Sequence, residues 1–318
     1  MLYAYRLEAG ALRLMPPDAD IADAIWIDLY RPDPAEAAQV EVLGVQVPSL
    51  ADMEEIEISN RLYRQDEADF MTVVIPGQTP AGEQVSGPVT FILTPARLIS
   101  VRHHDPRPFR TFPDRADRSS AGCSSPLRLY LGMVEEIVAR LADHLEGCGR
   151  SLDDIAKTVY KGDASSQPDM LEDALEVIGQ QGEVLARVRL GLLTMERMLA
   201  TFSVWLGNRK DGALRNFVKA ELRDLSALEV HADFLGNRVS LISDTTLGMI
   251  NLAQNATVRI VSVVAALFLP PTLIASVYGM NFVNMGVLHD PWGYPKAIVL
   301  MLASAGVTYL YFKWKKWL

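Results

Sequence analysis

Residues 260 to 282 read IVSVVAALFLPPTLIASVYGMNF, with no charged residue in the stretch. The 19 residues from Ile260 to Tyr278 match the roughly 20 that a helix needs to cross the hydrocarbon core of a bilayer. A second apolar run, AIVLMLASAGVTYLYF, extends from Ala297 to Phe312. Trp292 and Tyr294 precede it and Trp314 and Trp317 follow it, aromatic residues of the kind that settle at the two membrane interfaces. Two such runs side by side read as a membrane hairpin rather than as core helices of a soluble domain.

Flanking charge gives the orientation. The end, KWKKWL, puts Lys313, Lys315 and Lys316 beside the second run, and Arg259 precedes the first, whereas the segment from Gly279 to Lys296 holds Lys296 as its one strong base. Basic residues stay on the cytoplasmic side, so both termini are expected there. The start, MLYAYRLEAG, has no apolar core of signal-peptide length, and the N-terminal part is expected to remain cytoplasmic. Cys123 and Cys148 fit no metal-ligand or redox spacing, which suits a reducing compartment.

Charge and motifs exclude two large classes. The 318 residues carry a net charge of −9 and no basic stripe, so nucleic acid is not the partner. The chain has no phosphate-binding glycine loop, no HExxH and no Cys/His cluster, and it is not read as an enzyme. His103, His104 and Asp105 read as the end of a strand. Glu229, His231 and Asp233 stand at two-residue steps on a helical stretch and cannot share one face.

Proline placement divides the chain. Twelve of its 18 prolines fall before residue 115, and none lies between Pro168 and Pro270, where uninterrupted helix is possible. In the first part LYAYRLE, AIWIDLY, FMTVVI, VTFILT and RLISVRH read as strands, and PAEAAQVEVLG and PSLADMEEIEI as short helices. The expected organisation is an α/β cytoplasmic domain at 1–117, a linker at 118–126, cytoplasmic helices over 126–211 with the first from Pro126 to about Leu145, and a stalk helix over 212–278. The stalk becomes the first span at about 258–278, a loop covers 279–291, the second span 292–313 and a basic tail 314–318. Along the stalk Leu214, Phe217, Leu225, Leu228, Leu235, Val239, Ile242 and Ile250 recur mostly at three- and four-residue steps, one apolar stripe. A helix on the order of 100 Å long with such a stripe needs neighbours, and a symmetric oligomer supplies them most simply.

This combination resembles the CorA family of divalent cation channels, over the whole chain. The likeness is strongest in LRDLSALEVHADFL at 222–235, INLAQN at 250–255, FLPPTLIASVYGMNF at 268–282 and GYPKAIVLMLASAGVTYLYFKWKKWL at the end, which is similar to the enterobacterial branch. WIDL at 26–29, ADMEEIE at 51–57 and RLISVR at 97–102 carry it weakly into the N-terminal domain. The resemblance implies a funnel-shaped homopentamer in the bacterial inner membrane, with two spans per subunit and magnesium as both transported and regulatory ion. Cobalt and nickel would be surrogates, and no covalent cofactor is implied. The alternatives are a proton-coupled zinc transporter of the related ZntB type and a membrane-anchored sensor that conducts nothing.

The same resemblance assigns the site. Gly279, Met280 and Asn281 would form the selectivity filter, a ring of amide and carbonyl oxygens suited to an ion that keeps its waters. The row running inward from Asn281 passes Ser276, then Thr272 as a polar station, then Leu269, Val261 and Val258 as a hydrophobic constriction, and reaches Asn255 as the cytoplasmic entrance. Apolar rings can close a pore by dewetting, and Pro270 and Pro271 would bend the helix between Leu269 and Thr272. Regulatory magnesium would bind carboxylates between subunits, for which Asp224, Glu221, Asp244, Asp153 and Asp154 are candidates. One departure stands out. Where many relatives carry acidic residues after GMN, this chain reads VNMGVLHD, with Val283 and Val287 at the expected carboxylate positions and Asp290 as a nearby substitute.

Overall fold

The structure is a computed structural model that describes residues 1–160, 168–207, 212–280, 291–315 and 317. It divides into two compact units. The first combines Met1–Lys157 with Glu176–Ile242, and the second combines Thr158–Leu175 with Ser243–Leu318.

In the first unit seven strands form one sheet. They are β1 (Leu2–Glu8), β2 (Ala11–Leu14), β3 (Trp26–Tyr30), β4 (Leu62–Gln65), β5 (Ala68–Gln78), β6 (Gln84–Leu93) and β7 (Leu98–Arg102), in the order β2-β1-β3-β7-β6-β5-β4. Every pairing is antiparallel except β3 with β7, which run parallel with Trp26 opposite Leu98 and Tyr30 opposite Arg102. The central pair is covered on both faces, so WIDL and LISVR do not alternate between buried and exposed positions, and their polar members Asp28, Ser100 and Arg102 are buried together.

Alternation along the strands sends side chains to two separate cores. On one face Ile27, Leu29, Ile92, Ile99 and Val101 pack with Val40 of α1 (Pro34–Glu41) and Met53 of α2 (Leu50–Glu54). Two further short helices, α3 (Ile58–Arg61) and α4 (Pro108–Thr111), come later in the chain, and α1 and α2 both start where the sequence provides a cap. Asp33 and Glu36 form a capping box around Pro34, and Ser49 and Asp52 form another. On the other face Trp26 stacks on Tyr5 at 4.6 Å, and Phe91 meets Tyr130 of α5 (Pro126–Tyr160) at 5.7 Å. Tyr130 in turn meets Phe202 of α6 (Pro168–Leu206) at 5.0 Å. Thr194 of α6 also ties the helix to the sheet, donating to the Val74 carbonyl and accepting from its N–H at 3.2 and 3.1 Å.

α7 (Gly212–Tyr278) is one helix of 67 residues, and its first half buries Leu214, Val218, Leu225, Ala232, Leu235 and Ile242 within this unit. Leu235 lies 3.7 Å from where a side chain on Gly149 of α5 would begin, and Arg189 of α6 pairs with Asp233. The stripe read from the sequence is the seam of this helical packing.

Three features differ from the sequence reading. β2 and β4 went unread because four-residue edge strands carry no periodicity. The serine-rich stretch 118–126 is not a free linker: Ala121 and Cys123 are buried, and Ser120 donates to Glu135 through its N–H at 2.9 Å and its hydroxyl at 2.6 Å. α5 continues past Leu145 to Tyr160, since Cys148, Leu152 and Val159 extend its buried face.

The second unit contains the end of α5, the start of α6, the second half of α7, and α8 (Gly293–Trp314). α7 and α8 are long and apolar enough to cross a membrane, and only 6% of each apolar window is buried.

Candidate ion pathway

Each apolar helix of the second unit has one covered stripe. On α7 it is Val263 together with the half-buried Ala266, Leu267, Pro270, Ile274 and Tyr278. On α8 it is Gly293 and Ala297, followed by the half-buried Met301, Ser304, Thr308 and Phe312. Small residues on such a stripe allow two helices to approach closely in lipid.

The residues expected to line a pathway fall elsewhere. Asn255, Val258, Val261, Ala265, Leu269, Thr272, Ser276, Gly279 and Met280 are all exposed. At 3.6 residues per turn their row lies roughly half a turn from the covered stripe. Ser262, Thr272 and Ser276, every serine and threonine of the 260–278 run, belong to this exposed side. Two of these hydroxyls bond to their own helix: Ser262 Oγ donates to the Val258 carbonyl and Thr272 Oγ1 to the Phe268 carbonyl, each at 2.7 Å. α7 continues through Pro270 and Pro271, whose missing N–H groups leave the Ala266 and Leu267 carbonyls without helical donors. The helix ends at Tyr278, and Gly279 N–H returns to the Ala275 carbonyl at 2.9 Å. Asn281, the loop residues Val283, Val287 and Asp290, and Lys316 lie outside the described residues.

Beside Asn255 the structure adds a residue that the sequence did not single out. A cavity of about 320 Å³ is lined by Ile250, Ala253, Gln254, Thr257 and Val258 of α7 and by Glu172 of α6. Glu172 is nearly 80 positions away in the chain, so no local spacing connects it with the row.

The candidate regulatory carboxylates separate into distinct places. Asp153 accepts from Arg238 Nη2 at 2.6 Å, joining α5 to α7, and Asp154 pairs with Lys157 at 3.0 Å. Glu221 is buried, with 7% of its surface exposed, and its pKa is pushed up to about 7 by burial first and then by Glu135 and Asp224. Asp224 and Asp244 are exposed. Among the described residues no three His, Cys, Asp or Glu side chains gather in a way that would hold a metal ion.

The fold combines two helices long and apolar enough to cross a membrane with a large α/β and helical unit. The profile of the family described as CorA-like Mg2+ transporter protein matches residues 22–315. The chain is 32% identical over 321 residues to the magnesium transport protein CorA of Escherichia coli K12, covering 100% of both chains. It is equally similar to the protein of that name from Pectobacterium atrosepticum. Among solved structures, complete CorA from Methanocaldococcus jannaschii matches with a TM-score of 0.74 at 16% identity, over 100% of this chain and 99% of that one. The cytoplasmic domain of ZntB from Vibrio parahaemolyticus matches with a TM-score of 0.55 at 11% identity, over 77% of this chain and 96% of that one. The chain belongs to the CorA family of ion transporters. It is a divalent cation transporter and not an enzyme.

Proposed function

We propose that the chain carries magnesium across the bacterial inner membrane as a homopentamer, through a pore lined by the exposed row of α7. The observation that carries this reading is the placement of every serine and threonine of the first span on the side of α7 that the chain leaves uncovered. Polar groups inside a membrane face a bundle interior or a water-filled path rather than lipid. In this arrangement Gly279, Met280 and Asn281 form the outer filter, and a hydrated ion exchanges part of its outer shell for amide and carbonyl oxygens. Thr272 is a polar station, Leu269, Val261 and Val258 form an apolar constriction, and Asn255 and Glu172 stand at the cytoplasmic mouth. Arg259, Lys313 and Lys315 keep both termini cytoplasmic. The relatives named for magnesium transport support the choice of ion. Regulatory magnesium binds between subunits, where the exposed Asp224 and Asp244 can meet carboxylates of a neighbour; of the other candidates, Glu221 is buried in this chain, Asp153 is held by Arg238 and Asp154 by Lys157.

Uptake into proteoliposomes tests the reading, comparing magnesium with zinc, with and without a proton gradient, in the native chain and in Asn281→Ala. Magnesium flux that is independent of the gradient and lost in the variant is the expected result. Zinc flux that requires the gradient would transfer the protein to proton-coupled zinc transport. Absence of flux for either ion would leave a sensor.

A further inference from the structure

A second cavity, of about 200 Å³, lies in the first unit, remote in sequence from the transport helices. Three elements build it: the rim of the β5–β6 hairpin, the segment after β7, and the middle of α5. Its polar lining is Gln78, Gln84, Arg107, Arg110, Arg140 and His144, of which the three arginines are donors only and the others can donate as well as accept. Asp105 is the one carboxylate in the lining. It is already engaged by Arg102 Nη1 at 2.9 Å and by Arg110 Nε at 3.4 Å.

The charges do not balance. Three guanidinium groups and one carboxylate line the cavity, and counting Asp143, which pairs with Arg140 from outside the lining, an excess of one positive charge remains in a chain whose net charge is −9. Arg140 shows the mismatch at the level of an atom. Its Nη1 reaches the exposed Asp143 at 3.3 Å, while its Nε–H is buried with no acceptor among the described residues. A buried donor left unpaired costs free energy comparable to a lost hydrogen bond, so the Arg140 guanidinium is not fully satisfied by its protein neighbours. Burial lowers the pKa of His144, with Arg140 and then Arg107 adding to the effect against the opposing pull of Asp143, which is how a site charged for an anion treats an imidazole.

The cavity has the volume for one tetrahedral oxyanion and a few waters at about 30 Å³ each. Arginine forks match such an oxyanion bidentately. We propose that this cavity binds the phosphate group of a small cytoplasmic solute, either free phosphate or a phosphate monoester. A larger adjoining cleft, about 530 Å³, shares Arg110 and Asp105 with it and is walled by Tyr3, Tyr5, Tyr30 and Phe109, room for the body of an ester.

Calorimetric titration of the full-length chain in detergent, at constant ionic strength, tests the site with inorganic phosphate, adenosine monophosphate and chloride as probes. The expected result is one phosphate or monophosphate bound per chain, weakened about tenfold or more in Arg140→Gln and in Arg107→Gln, since a hydrogen bond to a charged group contributes that much. Arg107 is exposed, so its substitution leaves the fold intact, checked by an unchanged melting temperature without ligand. Tighter binding of adenosine monophosphate than of phosphate assigns the site to an ester, and equal binding assigns it to free phosphate. No binding at millimolar concentration, binding unaffected in both variants, or equal occupancy by chloride would overturn the proposal.

Discussion

Glu221 shows how one side chain can make the stability of the stalk depend on pH. Its folded pKa of about 7 lies above the ordinary 4.5, because burial and the neighbouring Glu135 and Asp224 oppose its charge. An acid whose pKa rises on folding adds stability below its unfolded value, and that contribution disappears as pH climbs through the folded one. The first unit should therefore lose on the order of 2 kcal/mol between pH 4.5 and 7 from this group, after allowing for solvent screening. Glu221→Gln should flatten that slope and raise the melting temperature at pH 8 while changing little at pH 4.5; a slope identical to the native chain would reject the assignment. Gly77 shows a steric constraint of another kind. A Cβ there would sit 2.6 Å from His104 Cδ2 and 2.8 Å from the Pro106 nitrogen, and the latter is backbone that cannot swing aside. His104 is itself fixed between Gly77 and Gly87 and donates Nε2–H to the Ile75 carbonyl at 3.0 Å, with its pKa lowered to about 4 chiefly by burial. Gly77→Ala is expected to destabilise the unit by about 1–3 kcal/mol, measured by chemical denaturation of the detergent-solubilised chain.

Among the elements, those with strong periodicity or a cap were legible before the fold was known. β3 and β7 announced themselves by their β-branched and aromatic residues, α1 through the run that begins at Pro34, and α7 through a stripe that no proline interrupts before Pro270. β2 and β4 were not legible, because a short edge strand is defined by its neighbour rather than by its own residues. The site followed the same rule. The row from Asn255 to Ser276 lies on one helix, where spacing alone gives the face. Glu172 beside Thr257, and Glu135 beside Glu221, meet only after the chain folds back on itself, and nothing local marks them. The row makes a prediction that belongs to the helix as a whole. If Leu269 forms part of an apolar constriction, Leu269→Asn should let water into it and raise basal magnesium flux severalfold over that of the native chain. Phe268→Asn, one residue away and rotated off the row, should leave basal flux near the native level. Equal leak in both variants would mean that the effect arises from loosened packing rather than from the row.

For the whole molecule, the second unit leaves more apolar surface uncovered than one chain can satisfy. Lipid accounts for much of it, since side chains such as Ile298, Leu302, Val307 and Leu310 of α8 are as well solvated by acyl chains as by protein. The row on α7 is less suited to lipid, since it gathers Ser262, Thr272 and Ser276, the serine and threonine residues of the 260–278 run. In the proposed pore, further copies of the chain arranged around an axis with this face inward would remove those groups from hydrocarbon, and a closed ring would do so for every copy alike. Such a ring brings equivalent residues of the row close together while holding the covered stripe away from the axis. Cysteine cross-linking separates the two faces cleanly, because Cys123 and Cys148 are buried and contribute little background. Leu269→Cys in membranes should give chain-to-chain disulfides under mild oxidation, whereas Val263→Cys, on the covered stripe, should remain monomeric on the same gel. The reverse pattern would turn the helix by half a revolution, place the hydroxyls toward lipid, and remove the basis for a pore along this row.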